Sequence, residues 1–228
     1  MARLYRLAAY FGLFSLFGSI LFGFRYDPAA PAGNYLFNVA LYAAWAAVHL
    51  VMTGEPFKRR AYGLRMGQPI ERQVFIVVTV VTWLAVLWLH RPVPGPAFTF
   101  PEPLRFAATV GFLAAAFAFF EGFTFPIFDG FFAVPGRVMQ MSHGAETPLL
   151  TEGRYAAVRH PMYQAAMLAA LCSLIVHTNA GQLLWCALIG ATFLGFIPLE
   201  ESRLIAARGE AYHAYMRQTP WRVFRGVW

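Results

Sequence analysis

Residues 161–201 read PMYQAAMLAALCSLIVHTNAGQLLWCALIGATFLGFIPLEE, and no Asp, Glu, Lys or Arg occurs before the last two positions. Two apolar runs, 162–177 and 181–199, make up almost all of this stretch, with Thr178-Asn179-Ala180 between them. A helix needs about 20 residues, and at least about 17, to cross the hydrocarbon core of a bilayer. The runs approach this length, and helices joined by so short a loop pack antiparallel. We therefore expect a tight hairpin of two membrane helices here.

Four further apolar runs precede the hairpin, at about 4–24, 35–53, 73–90 and 104–126, and segments rich in Pro and Gly separate them. The composition agrees: 59% of the 228 residues are hydrophobic and 13% are charged, about half the share of roughly 25% in soluble domains. A water-soluble core of this size could not cover so much apolar surface. The sequence predicts an all-α integral membrane helical bundle with about six transmembrane helices. It excludes a disordered chain, a secreted disulfide scaffold and an ordinary cytosolic enzyme.

The basic residues predict the orientation of this bundle. We expect a single membrane domain over 1–228, with four spans in 1–126 and a long loop, the hairpin and a helical tail in 127–228. With the N-terminus inside, all but three of the 18 Lys and Arg residues fall on one side of the membrane, as is typical of the cytoplasmic side. The first run lacks an Ala-x-Ala cleavage site, which favours a retained helix over a signal peptide. We predict a multi-pass protein of a bacterial inner membrane whose termini and helical tail are cytoplasmic.

The net charge and the positions of the cysteines limit the kinds of partner that we expect the protein to bind. The net charge of +7 is carried by residues between apolar runs, so it indicates membrane orientation and not a nucleic-acid partner. The two cysteines, Cys172 and Cys186, lie inside apolar runs and lack the spacing of metal ligands. We therefore expect the lipid bilayer as a partner, with no nucleic acid and no metal site.

The densest polar motif lies where the long loop enters the hairpin, in Gly153-Arg-Tyr-Ala-Ala-Val-Arg-His-Pro-Met-Tyr163. Pro161 suits the first turn of a helix because its missing N–H costs nothing there. Arg159 and His160 then lie at the positive N-terminal end of that helix, a natural site for a carboxylate or phosphate. Alternatively, Arg159 anchors a lipid headgroup and Tyr163 belongs to the interfacial aromatic belt. Spacing alone does not decide between these readings.

A second polar motif follows the last apolar run, where Glu200 and Glu201 stand side by side. Adjacent carboxylates at a membrane boundary are costly to desolvate unless they have a partner. One alternative is a solvated pair bonded along its own helix to Arg203 or Arg208. Because the hairpin turn is so short, however, the end of the second run must return beside Arg159, His160 and Tyr163. Such a pocket suits a zwitterionic cofactor that carries a nucleoside.

These motifs resemble a known group of membrane enzymes. Gly-x-Tyr-x-x-Val-Arg-His-Pro-x-Tyr at 153–163, Pro-Leu-Glu-Glu at 198–201 and Gly-x-x-Tyr-x-x-Tyr at 209–215 are similar to the isoprenylcysteine carboxyl methyltransferase and phospholipid methyltransferase superfamily. Three N-terminal motifs are similar to its methanethiol S-methyltransferase branch and to relatives linked to nitric-oxide reduction. They are Val48-His49-Leu50, Pro56-Phe57-Lys58-Arg59 and Glu71-Arg72-Gln73. The resemblance covers roughly residues 35–220.

The resemblance implies S-adenosylmethionine as the cofactor and assigns the site residues. It places the cofactor against Gly153, Tyr155, Val158, Arg159, His160 and Tyr163, with Glu200 or Glu201 on the ribose hydroxyls or the amino group. A carboxylate can accept two hydrogen bonds from a diol, which fits that role. The chain departs from the superfamily at Ala165, where glycine is frequent, and around 128–137 in the long loop.

Two ionisable residues in the apolar runs are further candidates. His49 is the candidate general base, since an imidazole near its usual pKa of about 6.5 suits removal of a proton from a thiol; a packing role is the alternative. Glu121 lies within the fourth run and is interpreted as a protonated structural residue in preference to a proton acceptor. Arg159 joins His49 as a catalytic candidate by orienting the cofactor.

The sequence therefore predicts a membrane methyltransferase that uses S-adenosylmethionine and acts on a small or lipophilic nucleophile, with a thiol favoured. Two other classes stay open. One is a non-catalytic accessory protein of a haem or nitrogen-oxide pathway. The other is a membrane lipid reductase, which would bind NADPH and not S-adenosylmethionine.

Overall fold

The computed structural model describes residues 15, 17–19, 24–63, 69–128 and 149–228. Regular secondary structure in these residues is helical, which confirms the all-α prediction for this part of the chain. The helices are α1 (Gly33–Thr53), α2 (Glu55–Tyr62), α3 (Pro69–Leu89), α4 (Glu102–Phe128), a 3₁₀ helix (Gly153–Ala156), α5 (Pro161–Val176), α6 (Ala180–Arg208) and α7 (Glu210–Gln218).

Three described helices are long and apolar enough to cross a membrane: α1, residues Glu102–Phe119 of α4, and α6. The apolar parts of α3 and α5 are shorter, Val77–Leu89 and Pro161–Val176. Large apolar side chains on these helices are exposed, Phe117 by 73% and Trp88 by 78% of their surface, and exposure on this scale suits lipid. The bilayer environment is thus supported, while the number of six spans stays a prediction. The first apolar run, 4–24, lies largely outside the described residues.

The predicted hairpin is present, because α5 ends at Val176 and α6 begins at Ala180. Two side chains explain where the helices stop and start. The Thr178 hydroxyl donates to the Leu174 carbonyl at 3.0 Å, and the backbone amide of Gln182 donates to Asn179 Oδ1 at 2.9 Å. Asn179 therefore caps the N-terminus of α6, a role in which Asn is strongly preferred.

The chain forms two compact units, Met1–Arg105 with Ser173–Leu188 and Phe106–Cys172 with Ile189–Trp228. The first unit has an aromatic core around Trp185, whose ring centroid lies 4.4 Å from that of Phe24 and 5.0 Å from those of Tyr42 and Trp83. An ion pair of 2.9 Å between Lys58 and Glu71 connects α2 with α3. Large rings therefore pack together in the described part of this unit.

The second unit contains the polar motifs. Gly209 separates α6 from α7 with a φ of +53°, a left-handed conformation that glycine adopts without steric cost. This break allows α7 to pack Tyr212 and Tyr215 against Leu204 of α6. The Tyr215 hydroxyl donates to the Tyr155 carbonyl at 2.8 Å, so α7 is bonded to the 3₁₀ helix that precedes α5.

Candidate active site

The entrance to α5 is held in place by the last residues of the chain. The amides of Arg159 and His160 donate to the carbonyls of Trp221 at 2.9 Å and Arg222 at 2.8 Å. One turn later, Gln164 Nε2 donates to the Val223 carbonyl at 2.8 Å. Pro161 begins the helix as expected, so the residues before α5 lie beside 221–223 and both side chains at 159 and 160 are oriented.

Glu201 is the centre of a buried ion cluster. Its Oε1 accepts from Arg159 Nε at 2.7 Å and lies 3.2 Å from His160 Nε2, and its Oε2 accepts from Arg222 Nε at 2.9 Å. Arg159 also donates through one terminal nitrogen to the Thr219 carbonyl at 2.8 Å. The side chains of Arg159 and Glu201 are each only 4% exposed. A buried pair is tolerated when its remaining hydrogen-bonding positions are satisfied, and this cluster meets that condition.

His160 lies between the two adjacent carboxylates. Its Nδ1 is 3.5 Å from Glu200 Oε2, and its Nε2 faces Glu201. Burial lowers the pKa of His160, but the hydrogen bonds and charges of Glu200 and Glu201 outweigh burial, and the net pKa lies above its usual 6.5. The two acids therefore favour the imidazolium form, in which one nitrogen is directed at each acid.

A cavity of about 90 Å³ opens beside this cluster. Half of its wall is aromatic and it carries one carboxylate and one guanidinium: the lining residues are Tyr155, Arg159, His160, Pro161, Met162, Tyr163, Glu200, Leu204, Tyr212 and Tyr215. The rings of His160 and Tyr163 are stacked, with centroids 5.5 Å apart and planes 11° apart. The cavity thus offers phenol and imidazole surfaces together with the Glu200 carboxylate and the Arg159 guanidinium.

The tyrosines of this wall outside the membrane helices are neutral. Burial is the main cause that raises the pKa of Tyr155, Tyr212 and Tyr215, and the charges of Glu200 or Glu201 or a neighbouring tyrosine raise it further. Neutral phenols keep their hydroxyl protons and their electron-rich ring faces. A cation can bind such ring faces, and because Glu200 and Arg159 lie on the same wall, the cavity suits a ligand that carries both charges.

The structure brings together most of the site residues predicted from the sequence. Tyr155, Arg159, His160, Tyr163 and Glu200 all line the cavity. Three others do not line it. Val158 and Glu201 are 2% and 3% exposed and buried beside it, and Gly153 begins the 3₁₀ helix with a φ of +62°.

Sequence reasoning missed three residues of the site. Tyr212 and Tyr215 are part of the Gly-x-x-Tyr-x-x-Tyr motif, and their three-residue spacing on a helix could have identified them as a pair on one face. Arg222 belongs to no motif, and nothing in the sequence connects it with Glu201. Only the folded chain shows that contact.

His49 belongs to the first unit and is distant in sequence from the residues that line this cavity. Its Nδ1 is 3.1 Å from the Trp45 carbonyl, and its ring lies 4.2 Å from the Trp45 ring and 5.5 Å from the Phe75 ring. A carbonyl only accepts, so Nδ1 carries the proton and Nε2 is the basic nitrogen of the neutral ring. The side chain of Glu121 and the loop 129–137 lie outside the described residues.

Comparison with known proteins identifies similar chains. Methanethiol S-methyltransferase 1 of Bradyrhizobium diazoefficiens is 28% identical over 198 residues, which cover 82% of this chain and 67% of the relative. The methanethiol S-methyltransferase of Crocosphaera subtropica is 27% identical, over 81% of this chain and 72% of the relative. That of Mycobacterium tuberculosis is 28% identical, over 85% and 81%.

No protein-family model and no solved structure matches the chain. The relatives nevertheless agree with each other in name and in the extent of the match. The chain is therefore similar to the methanethiol S-methyltransferases over about four fifths of its length, which confirms the resemblance seen in its motifs.

Proposed function

We propose that this chain is an S-adenosylmethionine-dependent membrane methyltransferase that acts on a small thiol. The similar proteins are named methanethiol S-methyltransferases, which supports methyl transfer to a thiol and does not favour an accessory protein or a lipid reductase. The observation that carries the cofactor is the cavity that combines the Glu200 carboxylate with Tyr155, Tyr163, Tyr212 and Tyr215.

The groups around the cavity fit a sulfonium cofactor chemically. S-adenosylmethionine carries a sulfonium and an amino group as well as a carboxylate. The cavity offers neutral aromatic faces and the Glu200 carboxylate to the cationic groups, and the Arg159 guanidinium to the anionic one. The Glu200 carboxylate suits the amino group or the ribose hydroxyls of the same molecule. The enclosed volume of about 90 Å³ is below the roughly 300 Å³ of sites that enclose drug-sized ligands. It accommodates part of the cofactor.

S-adenosylmethionine, when bound, would supply an electrophilic methyl group. The residues of the chain would contribute positioning and exclusion of water. Glu200 and the tyrosine rings would hold the cofactor, and Arg159, which lines the cavity and is bonded to Glu201, would orient it. Transfer from a cation to a thiol releases one proton, and His49, with its basic Nε2, is the proposed acceptor.

We further propose that the chain is a multi-pass protein of a bacterial inner membrane, with about six spans and a cytoplasmic site. The excess of Lys and Arg in the segments next to the motifs supports this orientation. Single cysteines at the exposed positions Glu152 and Ala97, introduced into a variant without Cys172 and Cys186 and labelled in intact cells with an impermeant maleimide, test it. The orientation requires the cysteine at 152 to be protected and the cysteine at 97 to be labelled.

The cofactor assignment is tested by calorimetric titration of S-adenosylmethionine into the purified protein, together with transfer of radiolabelled methyl to methanethiol. Glu200→Gln removes the carboxylate at the cavity, and we expect about tenfold to hundredfold weaker binding. Glu210→Gln is the matched control, since Glu210 is exposed and pairs with Arg217 on α7, and it should bind as the wild type does. Absence of binding in a folded wild-type protein contradicts the proposal.

A further inference from the structure

We propose that Arg222 is a positioning residue of this site, which holds Glu201 and, through it, fixes His160 and Glu200 at the cavity. The expected effect on cofactor binding rests on the proposed function. The contacts of Arg222 themselves lie among residues of the second unit.

The guanidinium of Arg222 is itself held in place. The amides of Arg222 and Val223 donate to the Trp228 carbonyl at 2.8 and 3.1 Å, which closes the chain into a tight loop. Within that loop the Arg222 guanidinium lies over the Trp228 ring, 4.9 Å from its centroid, a distance at which a cation is attracted to an aromatic face. Arg222 is therefore presented to Glu201 in one orientation.

A continuous series of contacts leads from Arg222 to the cavity. Arg222 Nε donates to Glu201 Oε2 at 2.9 Å. The other oxygen of Glu201 lies 3.2 Å from His160 Nε2, and His160 Nδ1 lies 3.5 Å from Glu200 Oε2. Of the two acids, Glu200 is the one that lines the cavity.

Loss of the Arg222 donor would change the whole series. The Glu201 side chain is 4% exposed and that of Arg222 is 31% exposed, so water would reach Oε2 only from the Arg222 side. Such water replaces the lost charged donor incompletely, and a poorly satisfied buried charge is costly. Glu201 would rotate toward the donors that remain, Arg159 and His160. His160, which contacts both acids, would shift with Glu201 and displace the Glu200 carboxylate that lines the cavity.

The charges around His160 predict a second, independent effect. Glu200 and Glu201 of α6 favour the imidazolium. The guanidinium groups of Arg159 and Arg222, both bonded to Glu201, carry the same charge as the imidazolium and repel it. Tyr163 is stacked on the imidazole, and Tyr155 and Tyr212 line the same cavity as neutral phenols. Removal of the Arg222 charge takes away its repulsion of the His160 imidazolium. It also leaves more of the negative charge of Glu201 to attract that imidazolium. His160 should then hold its proton to higher pH.

The test compares Arg222→Met and Arg222→Lys with Arg225→Met, an exposed arginine of the same segment. Histidine titration is followed by ¹⁵N NMR of the full chain in detergent micelles without cofactor, with the His160 signal assigned through His160→Gln. Affinity for S-adenosylmethionine is measured by calorimetry on the same samples.

We expect Arg222→Met to raise the His160 midpoint by about one pH unit and to weaken cofactor binding about tenfold. Arg222→Lys keeps the charge but not the orientation over Trp228, so its midpoint should match the wild type while its affinity falls. Arg225→Met should change neither quantity. A purely structural role would lower the thermal midpoint without moving the titration.

A wild-type His160 midpoint and a wild-type affinity in folded Arg222→Met overturn the inference. If Arg222→Met does not fold, Arg222→Lys decides, and wild-type affinity in that variant overturns it. Absence of cofactor binding in the wild-type protein counts against the proposed function alone, and the cofactor-free titration of His160 then decides the role of Arg222.

Discussion

The two units contain histidines that are almost equally buried but differently surrounded. His90 is 2% exposed and His160 is 6% exposed. His90 lies against the rings of Phe24 and Tyr42, at 4.8 and 6.2 Å between centroids. His160 lies between two carboxylates.

Hydrogen bonds show what this difference means for charge. Asn38 Oδ1 accepts from the Arg91 backbone amide at 3.0 Å, which fixes the orientation of the Asn38 side chain. The atom 3.4 Å from His90 Nε2 is therefore the Asn38 Nδ2 group. A donor facing Nε2 requires an unprotonated nitrogen, so His90 is neutral. Both nitrogens of His160 face carboxylate oxygens, which favours the cationic form. Burial alone therefore does not decide the charge of an imidazole; its partners do.

The largest effect that tests this comparison is expected from Glu201→Ala. The change leaves Arg159 buried without its counter-ion, and breaking a buried pair in this way costs about 3–5 kcal/mol. Hydrogen exchange of peptides from 219–228 measures the local loss of stability in the second unit. Glu210→Ala, at the exposed pair on α7, should leave exchange unchanged, and equal exchange in the two variants would contradict the assigned role of the cluster.

The next effect concerns the proposed proton acceptor. His49→Gln removes this acceptor, and we expect the rate of methyl transfer to fall about hundredfold, as for other general bases. Affinity for S-adenosylmethionine should not change, because His49 is not among the residues that line the cavity. Steady-state rates and calorimetry together test this, with His213→Gln, at an exposed position of α7, as control. An unchanged rate would exclude His49 as the base.

A smaller effect is expected from pH. The pKa of His160 is raised in the folded protein by Glu200 and Glu201 against the effect of burial, so its stabilising contribution is fully present below the unfolded value of about 6.5. The contribution is lost as pH rises through the folded pKa. Thermal midpoints measured across this range should fall for the wild type and stay flatter for His160→Gln. Parallel curves would show that His160 does not titrate as proposed.

The smallest effect is expected from two matched hydroxyl deletions. Tyr215→Phe loses the bond to the Tyr155 carbonyl and should cost about 1 kcal/mol. The Tyr42 hydroxyl has no hydrogen-bond partner among the described residues, so Tyr42→Phe should be neutral or slightly stabilising. Unfolding of both variants in the same detergent provides the comparison. If Tyr215→Phe and Tyr42→Phe lost the same stability, the hydrogen bond of the Tyr215 hydroxyl would not account for the loss, and the prediction would be wrong.

Particular residues show how far the sequence could predict the site. Pro161, the three-residue turn before Ala180 and the pair Glu200-Glu201 were enough to place the acids beside Arg159 and His160. Glu200 and Glu201 point in directions about 100° apart around α6, and spacing alone could not tell which of them faces the cavity. Only their partners in the folded chain decide this. Nor could it reveal Arg222, whose contact with Glu201 joins residues 21 positions apart.

Local chemistry in the chain by itself determined that the protein is helical, that lipid is part of its surroundings and that a polar motif lies at the entrance to a hairpin. Those properties follow from apolar run length, from proline at a helix start and from the length of a turn, all of which act between near neighbours. Only the tertiary structure decided that Glu201 is buried among three cationic groups while Glu200 faces the cavity. The distribution of charge depends on which distant groups meet, and Coulomb and hydrogen-bond energies depend on those distances.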